Sequence, residues 1–301
     1  MTLPRPAYIN AYINGLLQTR AEEATGRLAD CDLCPRKCHI DRTNGSLGTC
    51  KTGRLAKVAS YSPHFGEEPP LVGTHGSGTI FFTNCNLGCN FCQNWDISHD
   101  GYGVEISNAH LARIMINLQH MGCHNINLVT PSHVVPQILS ALLLAVKGGL
   151  NIPVVYNTSG YDDPATIKLL DGIVDIYMPD FKFWDPEISR QTCNAADYPA
   201  FARSSIKEMH RQVGDLVIVN GRATRGLIVR HLVLPNNMAG TKEIMRFISQ
   251  EISTATYVNV MDQYRPCGHA YDLEDMNRGI TQFEFLRALK AAQSAGLVRK
   301  K

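Results

Sequence analysis

The chain has 301 residues, 44% of them hydrophobic and 19% charged, so it can bury a full core and fits one large α/β domain with an appendage rather than a disordered chain. A net charge of +2 gives no basic field, and no Lys/Arg run interleaved with aromatics occurs, which argues against nucleic acid as the main partner. Met1-Thr2-Leu3-Pro4-Arg5-Pro6 lacks the apolar stretch of a signal peptide and no run reaches bilayer length, so a cytoplasmic protein with no membrane partner is expected.

Ten cysteines in a reducing compartment argue against a disulfide framework, and seven of them fall between Cys31 and Cys92, as metal ligands would. The first group lies in an N-terminal Cys-rich segment, 1–72, where Cys31, Cys34, Cys38 and Cys50 form C-x2-C-x3-C-x11-C, with Gly45 and Gly48 allowing tight turns. Four thiolates close a site, for zinc or for a [4Fe–4S] cluster, and the spacing does not choose between them. Arg36, Lys37, Arg42 and Lys51 would offset the thiolate charge.

A core over 73–265 alternates short apolar runs with helical patterns, the signature of β–α units and a parallel sheet. Strands are predicted at 79–83, 126–130, 153–157, 174–178, 227–234 and 257–261, rich in Val, Ile, Leu, Phe and Tyr as in strands buried on both faces. Helices are predicted from an Asn108 cap, over 134–146, from Asp163-Pro164, and over 241–252. Residues 214–226 read as a hairpin inserted before the fifth strand. The tail, 266–301, carries a final helix over 281–296 whose Phe283, Phe285, Leu286 and Leu289 would supply apolar contact. Six such units curl into an incomplete (β/α)6 TIM-type barrel; a doubly wound open sheet is the alternative.

The second cysteine group is Cys85, Cys89 and Cys92, spaced C-x3-C-x2-C with Phe91 before the last. Three soft ligands on one loop suit a four-iron cube with one iron left open, and an open metal position is where a substrate or cofactor binds. A zinc knuckle competes, but zinc favours paired C-x2-C units with a fourth ligand close by. Catalytic groups of parallel barrels sit at the carboxyl ends of strands, and here those ends are polar: Thr130-Pro131-Ser132, Asn157-Thr158-Ser159-Gly160, Asp180-Phe181-Lys182 and Asp262-Gln263-Tyr264. Cys123, Cys193 and Cys267 read as isolated, and His64, His75, His99 and His124 show no metal spacing.

Cys85, Cys89, Phe91 and Cys92, the Gln93-Asn94-Trp95 that follows and the strand-end motifs resemble those of radical S-adenosylmethionine enzymes, specifically the pyruvate formate-lyase activating enzyme branch, over about residues 75–265. The resemblance implies a [4Fe–4S] cluster on Cys85, Cys89 and Cys92, S-adenosylmethionine on its open iron, a flavodoxin or ferredoxin as reductant, and a 5′-deoxyadenosyl radical that takes hydrogen from a glycyl-radical protein. It also implies cofactor contacts at Asn94, Trp95, Asn157, Ser159, Asp180, Lys182 and Arg230, the last as a bidentate partner of the cofactor carboxylate. Two departures stand out. Asn157 replaces the Asp that would serve a monovalent cation. Val129-Thr130-Pro131-Ser132 replaces Gly-Gly-Glu-Pro, leaving the Thr130 and Ser132 hydroxyls to accept from the methionyl ammonium. Two other functions compete: radical chemistry on a small molecule or peptide, and a non-catalytic iron–sulfur or zinc protein for electron transfer or binding.

Overall fold

A computed structural model describes residues 4–297. Helices α1 (Ala7–Ile13) and α2 (Leu16–Gly26) lead to the first cysteine group, followed by β1 (Ala56–His64), α3 (Pro69–Val72) and β2 (Ser77–Phe82). After the three-Cys loop come α4 (Trp95–Ser98), β3 (Val104–Ile106), α5 (Asn108–His120), β4 (Ile126–Val129), α6 (Val135–Lys147), β5 (Val154–Thr158), α7 (Pro164–Leu169) and β6 (Ile176–Pro179). The chain continues through α8 (Pro186–Cys193), α9 (Tyr198–Val213), β7 (Val217–Val219), β8 (Arg222–Leu232), α10 (Thr241–Phe247), β9 (Tyr257–Met261) and α11 (Gln282–Ser294).

Strands β2, β4, β5, β6, β8 and β9 pair in that order, each parallel to the next. They form an incomplete TIM-type barrel, and the sheet does not close: β1 lies antiparallel on the outer edge of β2, with β3 antiparallel beyond it. Strands β5 and β6 are buried at every residue, which is why they read as continuous apolar runs. Helix α6 closes one crossover by burying Val135, Ile138, Leu139, Ala141, Leu142 and Ala145, with Pro136 in its first turn where no amide donor is needed. No described helix is long and apolar enough to cross a membrane.

Several expectations shift. The cap of α5 is Ser107, whose hydroxyl accepts from His110 N–H at 3.2 Å, so Asn108 is already helical. The hairpin is real, but β8 itself supplies its second arm, running eleven residues from Arg222. The helix expected over 241–252 ends as α10 at Phe247, and a wider turn, Ile248–Ile252, completes it. Helix α11 has a capping box between Thr281 and Glu284, but it buries Ala288 and Ala292 while Phe283, Leu286 and Leu289 stand exposed, Phe283 lining a groove of about 960 Å³. Small side chains allow close approach on the inner face, and the large ones fall outside it.

His231, in β8, is fully buried and bridges two elements. Its Nδ1–H donates to the Phe181 carbonyl at 2.7 Å, so Nε2 is left to accept from the Thr241 hydroxyl at 2.9 Å. Burial holds its imidazole down to about 4, and the Phe181 carbonyl only partly offsets that. An unfolded His titrates near 6.5, so between those values the unfolded chain binds the extra proton and stability falls as pH falls. Between pH 6.5 and 5, urea unfolding should show wild type losing about 2 kcal/mol more stability than H231Q. Parallel pH profiles for the two proteins would contradict this role.

Candidate active site

The barrel register sets the strand ends side by side. Thr130 N–H donates to Asn157 O at 2.9 Å, Asp180 N–H to Thr158 O at 2.8 Å, and Phe181 N–H to Arg230 O at 2.8 Å, so the ladder continues past the strands and aligns Thr130, Asn157, Asp180 and Arg230 across four of them. Asn94, Thr130, Asn157, Ser159, Asp180, Lys182 and Arg230 line one cavity of about 150 Å³ together with Cys85, Cys89 and Cys92. Trp95 and Ser132 stand outside this lining. Trp95 opens α4 and stacks on His99, ring centroids 3.7 Å apart. The buried Ser132 hydroxyl lies 3.0 Å from that of Thr158, which donates to Asp162 at 2.6 Å.

The three-Cys loop is held by packing as well as by its chain. Phe91 is buried edge-on against Phe183 at 5.7 Å and Tyr264 at 6.2 Å, which explains an aromatic just before Cys92: it anchors the loop while the thiols face the cavity. The segment after β9 closes over it, with His269 N–H donating to Asn90 O at 2.8 Å and Gln93 Nε2 to Gln263 O at 3.1 Å. Behind the cavity, Asp180 serves two cations. Its carboxylate accepts from Lys182 Nζ at 2.6 Å and from Arg230 Nε at 2.8 Å, and Arg230 Nη2 also donates to Asn157 Oδ1 at 2.7 Å. Burial alone would raise the Asp180 carboxyl, but Arg230 and Lys182 outweigh it and hold it below the usual carboxylate range. Lys182 is the mirror case: burial disfavours its charge, yet Asp180 and the Cys89 sulfur raise it, so it is a fixed cation beside the thiols.

Burial makes these thiols poor acids. Burial and the neighbouring Cys89 push Cys85 up to about 12, and burial also raises Cys92. Metal uptake must therefore displace protons from them. Two observations test whether an iron–sulfur cluster and S-adenosylmethionine fit here. The donors are three soft sulfurs on one wall, and the Ser159 hydroxyl, which lines the same cavity, is buried with no hydrogen-bond partner among the described residues. The residues fit both groups.

Three contributors, Cys193, Tyr198 and Glu67, carried no sequence signal. Cys193, read as isolated, lies within hydrogen-bonding reach of Cys89, and that contact is the largest cause of the raised Cys89 thiol. The Tyr198 hydroxyl, on α9, accepts from Lys182 N–H at 2.9 Å and lies 3.0 and 3.1 Å from the Ser159 and Asp180 carbonyls, bracketing two strand-end loops. Gly160, at φ +80°, lets those loops meet; a Cβ there would stand 2.2 Å from Asp180 O. Glu67, between β1 and α3, approaches Arg230 at 3.6 Å. Thr130, a β-branched residue at φ +61°, holds a strained backbone in the cavity wall.

A model of the Radical SAM superfamily matches residues 79–248. The chain is 34% identical over 293 residues to Uncharacterized protein MJ0674 of Methanocaldococcus jannaschii, a match covering 94% of this chain and 80% of that protein. Among solved structures it is similar to a radical SAM methyltransferase from Sphaerobacter thermophilus, with TM-score 0.49, 14% identity, and 73% of this chain against 64% of that one covered. It is also similar to methylornithine synthase (PylB), with TM-score 0.47, 17% identity, and 72% against 62% covered. The chain thus spans a little under two thirds of either structure. The superfamily match runs over more than half of the chain and contains all three cysteines of the cavity: the chain belongs to the radical SAM superfamily, whose chemistry is cleavage of S-adenosylmethionine at an iron–sulfur cluster.

Proposed function

We propose that this chain is an oxidoreductase similar to the pyruvate formate-lyase activating enzymes, drawing electrons from a flavodoxin or ferredoxin and taking a hydrogen atom from a glycyl-radical protein. One observation carries the reading: the three thiols of a single loop share their cavity with the Asp180, Lys182 and Arg230 charges and the free Ser159 hydroxyl. When bound, a [4Fe–4S] cluster and S-adenosylmethionine supply a one-electron cleavage that yields methionine and a 5′-deoxyadenosyl radical.

The protein's part is holding, orienting and drying. Cys85, Cys89 and Cys92 carry the cluster. Lys182 presents a fixed positive charge to the cofactor's carboxylate or ribose, and Asp180 keeps it from wandering. The guanidinium of Arg230 is already engaged by Asp180 and Asn157, so its role is a preorganised cation in the wall rather than a free bidentate hand. Thr130 and Ser159 offer hydroxyls to the polar end of the cofactor. Phe81, Phe82, Ile97 and Val129 line the remaining wall and exclude water. A small molecule or peptide as substrate is the second reading, favoured by Thr130-Pro131-Ser132, which lacks the acidic turn of the activating branch.

Anaerobically reconstituted protein given dithionite and S-adenosylmethionine should form 5′-deoxyadenosine, and C89A should form none; no product from the wild type would contradict the reading. D180N leaves two buried cations facing a neutral amide, so it should slow that reaction at least tenfold and destabilise the fold by about 3 kcal/mol in urea. Unchanged turnover in D180N would remove Asp180 from the site's organisation. Hydrogen transfer is checked with deuterium-labelled glycyl-radical protein, where label should appear in 5′-deoxyadenosine; label appearing only from a small molecule would favour the second reading.

A further inference from the structure

The first cysteine group is built as a site in its own right. Cys31, Cys34, Cys38 and Cys50 line one enclosed chamber with Arg42 and His133, and three of the four sulfurs are buried. Gly48 is shaped to this chamber: a Cβ on it would fall 2.7 Å from Cys38 Sγ, so only glycine lets that turn close over the thiol.

Two buried groups in this chamber call for a partner. Arg42 is 1% exposed, and its guanidinium donates to Gly53 O at 3.1 and 2.9 Å, to His133 O at 2.9 Å and toward Cys31 Sγ at 3.7 Å. Among the described residues no carboxylate pairs with it, and a buried cation without a counter-charge is expensive. Thiolates deprotonated by a metal supply that charge. The second feature is His133, 1% exposed. Its Nε2–H donates to the Thr83 carbonyl at 3.0 Å, which leaves Nδ1 as a bare lone pair, buried and with no partner among the described residues. Such an unpartnered acceptor beside four soft donors marks room for a bound group.

We propose that Cys31, Cys34, Cys38 and Cys50 hold a second iron–sulfur cluster, with Arg42 as its buried counter-ion and His133 in its wall. All four are soft donors lining one chamber, a set that can close every iron of a cube. The site is tied to the first one. Arg36 donates to Asn86 O at 2.9 Å, Leu87 O at 3.0 Å and Cys193 O at 2.9 Å, and Asn84 Nδ2 donates to Lys51 O at 3.1 Å and Thr52 Oγ1 at 3.2 Å. The four-thiol segment therefore holds the backbone of the three-Cys loop, and the proposal uses the radical SAM reading only to assign the first cluster.

The test is iron, inorganic sulfide and zinc per chain in anaerobically reconstituted full-length protein. Wild type should carry about eight iron, and both C85A/C89A/C92A and C31A/C34A/C38A/C50A should carry about four. In the C85A/C89A/C92A background, adding C38A at the chamber rim, where packing is least disturbed, should release the remaining iron. Loss of all iron and sulfide in C85A/C89A/C92A would overturn the second cluster while leaving the radical SAM reading intact. One zinc per chain, released only by the four-cysteine substitution, would overturn it as well. Wild type carrying only about four iron, all of it retained by C85A/C89A/C92A, supports this site and counts against the first.

Discussion

One buried carboxylate organises the catalytic end of this barrel. Asp180 faces Lys182 and Arg230 at once, and it is the carboxylate hydrogen-bonded to both cations, with Glu67 a more distant partner of Arg230. Because Asp180 follows β6 and Arg230 lies in the next parallel strand, β8, the ion group also joins two strands at the level where the cavity opens. Lys182 then sits as a permanent positive charge beside three thiols. Positive charge favours the thiolate form that binds metal, so the same clamp that steadies the barrel mouth prepares the cysteines for a cluster.

The rest of the architecture keeps that end dry and fixed. Phe91 seats the three-Cys loop among Phe183 and Tyr264, while the segment around Gln263 and His269 covers it from the carboxyl side. From the amino side, Arg36 and Asn84 tie it to the four-Cys segment. A loop held from three directions does not need to order itself when a cofactor arrives, and preorganisation of this kind is what a radical reaction requires of its protein.

The strands were legible because parallel strands buried on both faces leave apolar runs such as Ile126–Val129 and Val154–Thr158, and the polar strand ends were legible because the topology puts them at one mouth. Other parts had no such mark. Strand β1 is polar and partly exposed, with Lys57, Ser60 and Ser62 along it, so nothing in its pattern announces pairing with β2. Helix α9 has a broad buried face, but polar Ser205, Glu208 and Gln212 share it with the apolar residues, and its Tyr198 reaches the site only through a crossover. Cys193 meets Cys89 from α8, over a hundred positions away in the chain, and Glu67 comes from a connection that is not a strand end. Contacts of this kind depend on packing between elements, which spacing does not encode. On α11 the apolar residues pointed to the wrong face, since size rather than hydropathy decided which side could approach the barrel.

The central claim is that Cys85, Cys89 and Cys92 hold a cluster with an iron open to S-adenosylmethionine. The most direct measurement is electron paramagnetic resonance of the reduced, oxygen-protected protein with and without S-adenosylmethionine. The account predicts that the cofactor changes the spectrum of one reduced cluster and that C89A abolishes this response. A reduced cluster whose spectrum is indifferent to saturating S-adenosylmethionine would contradict it.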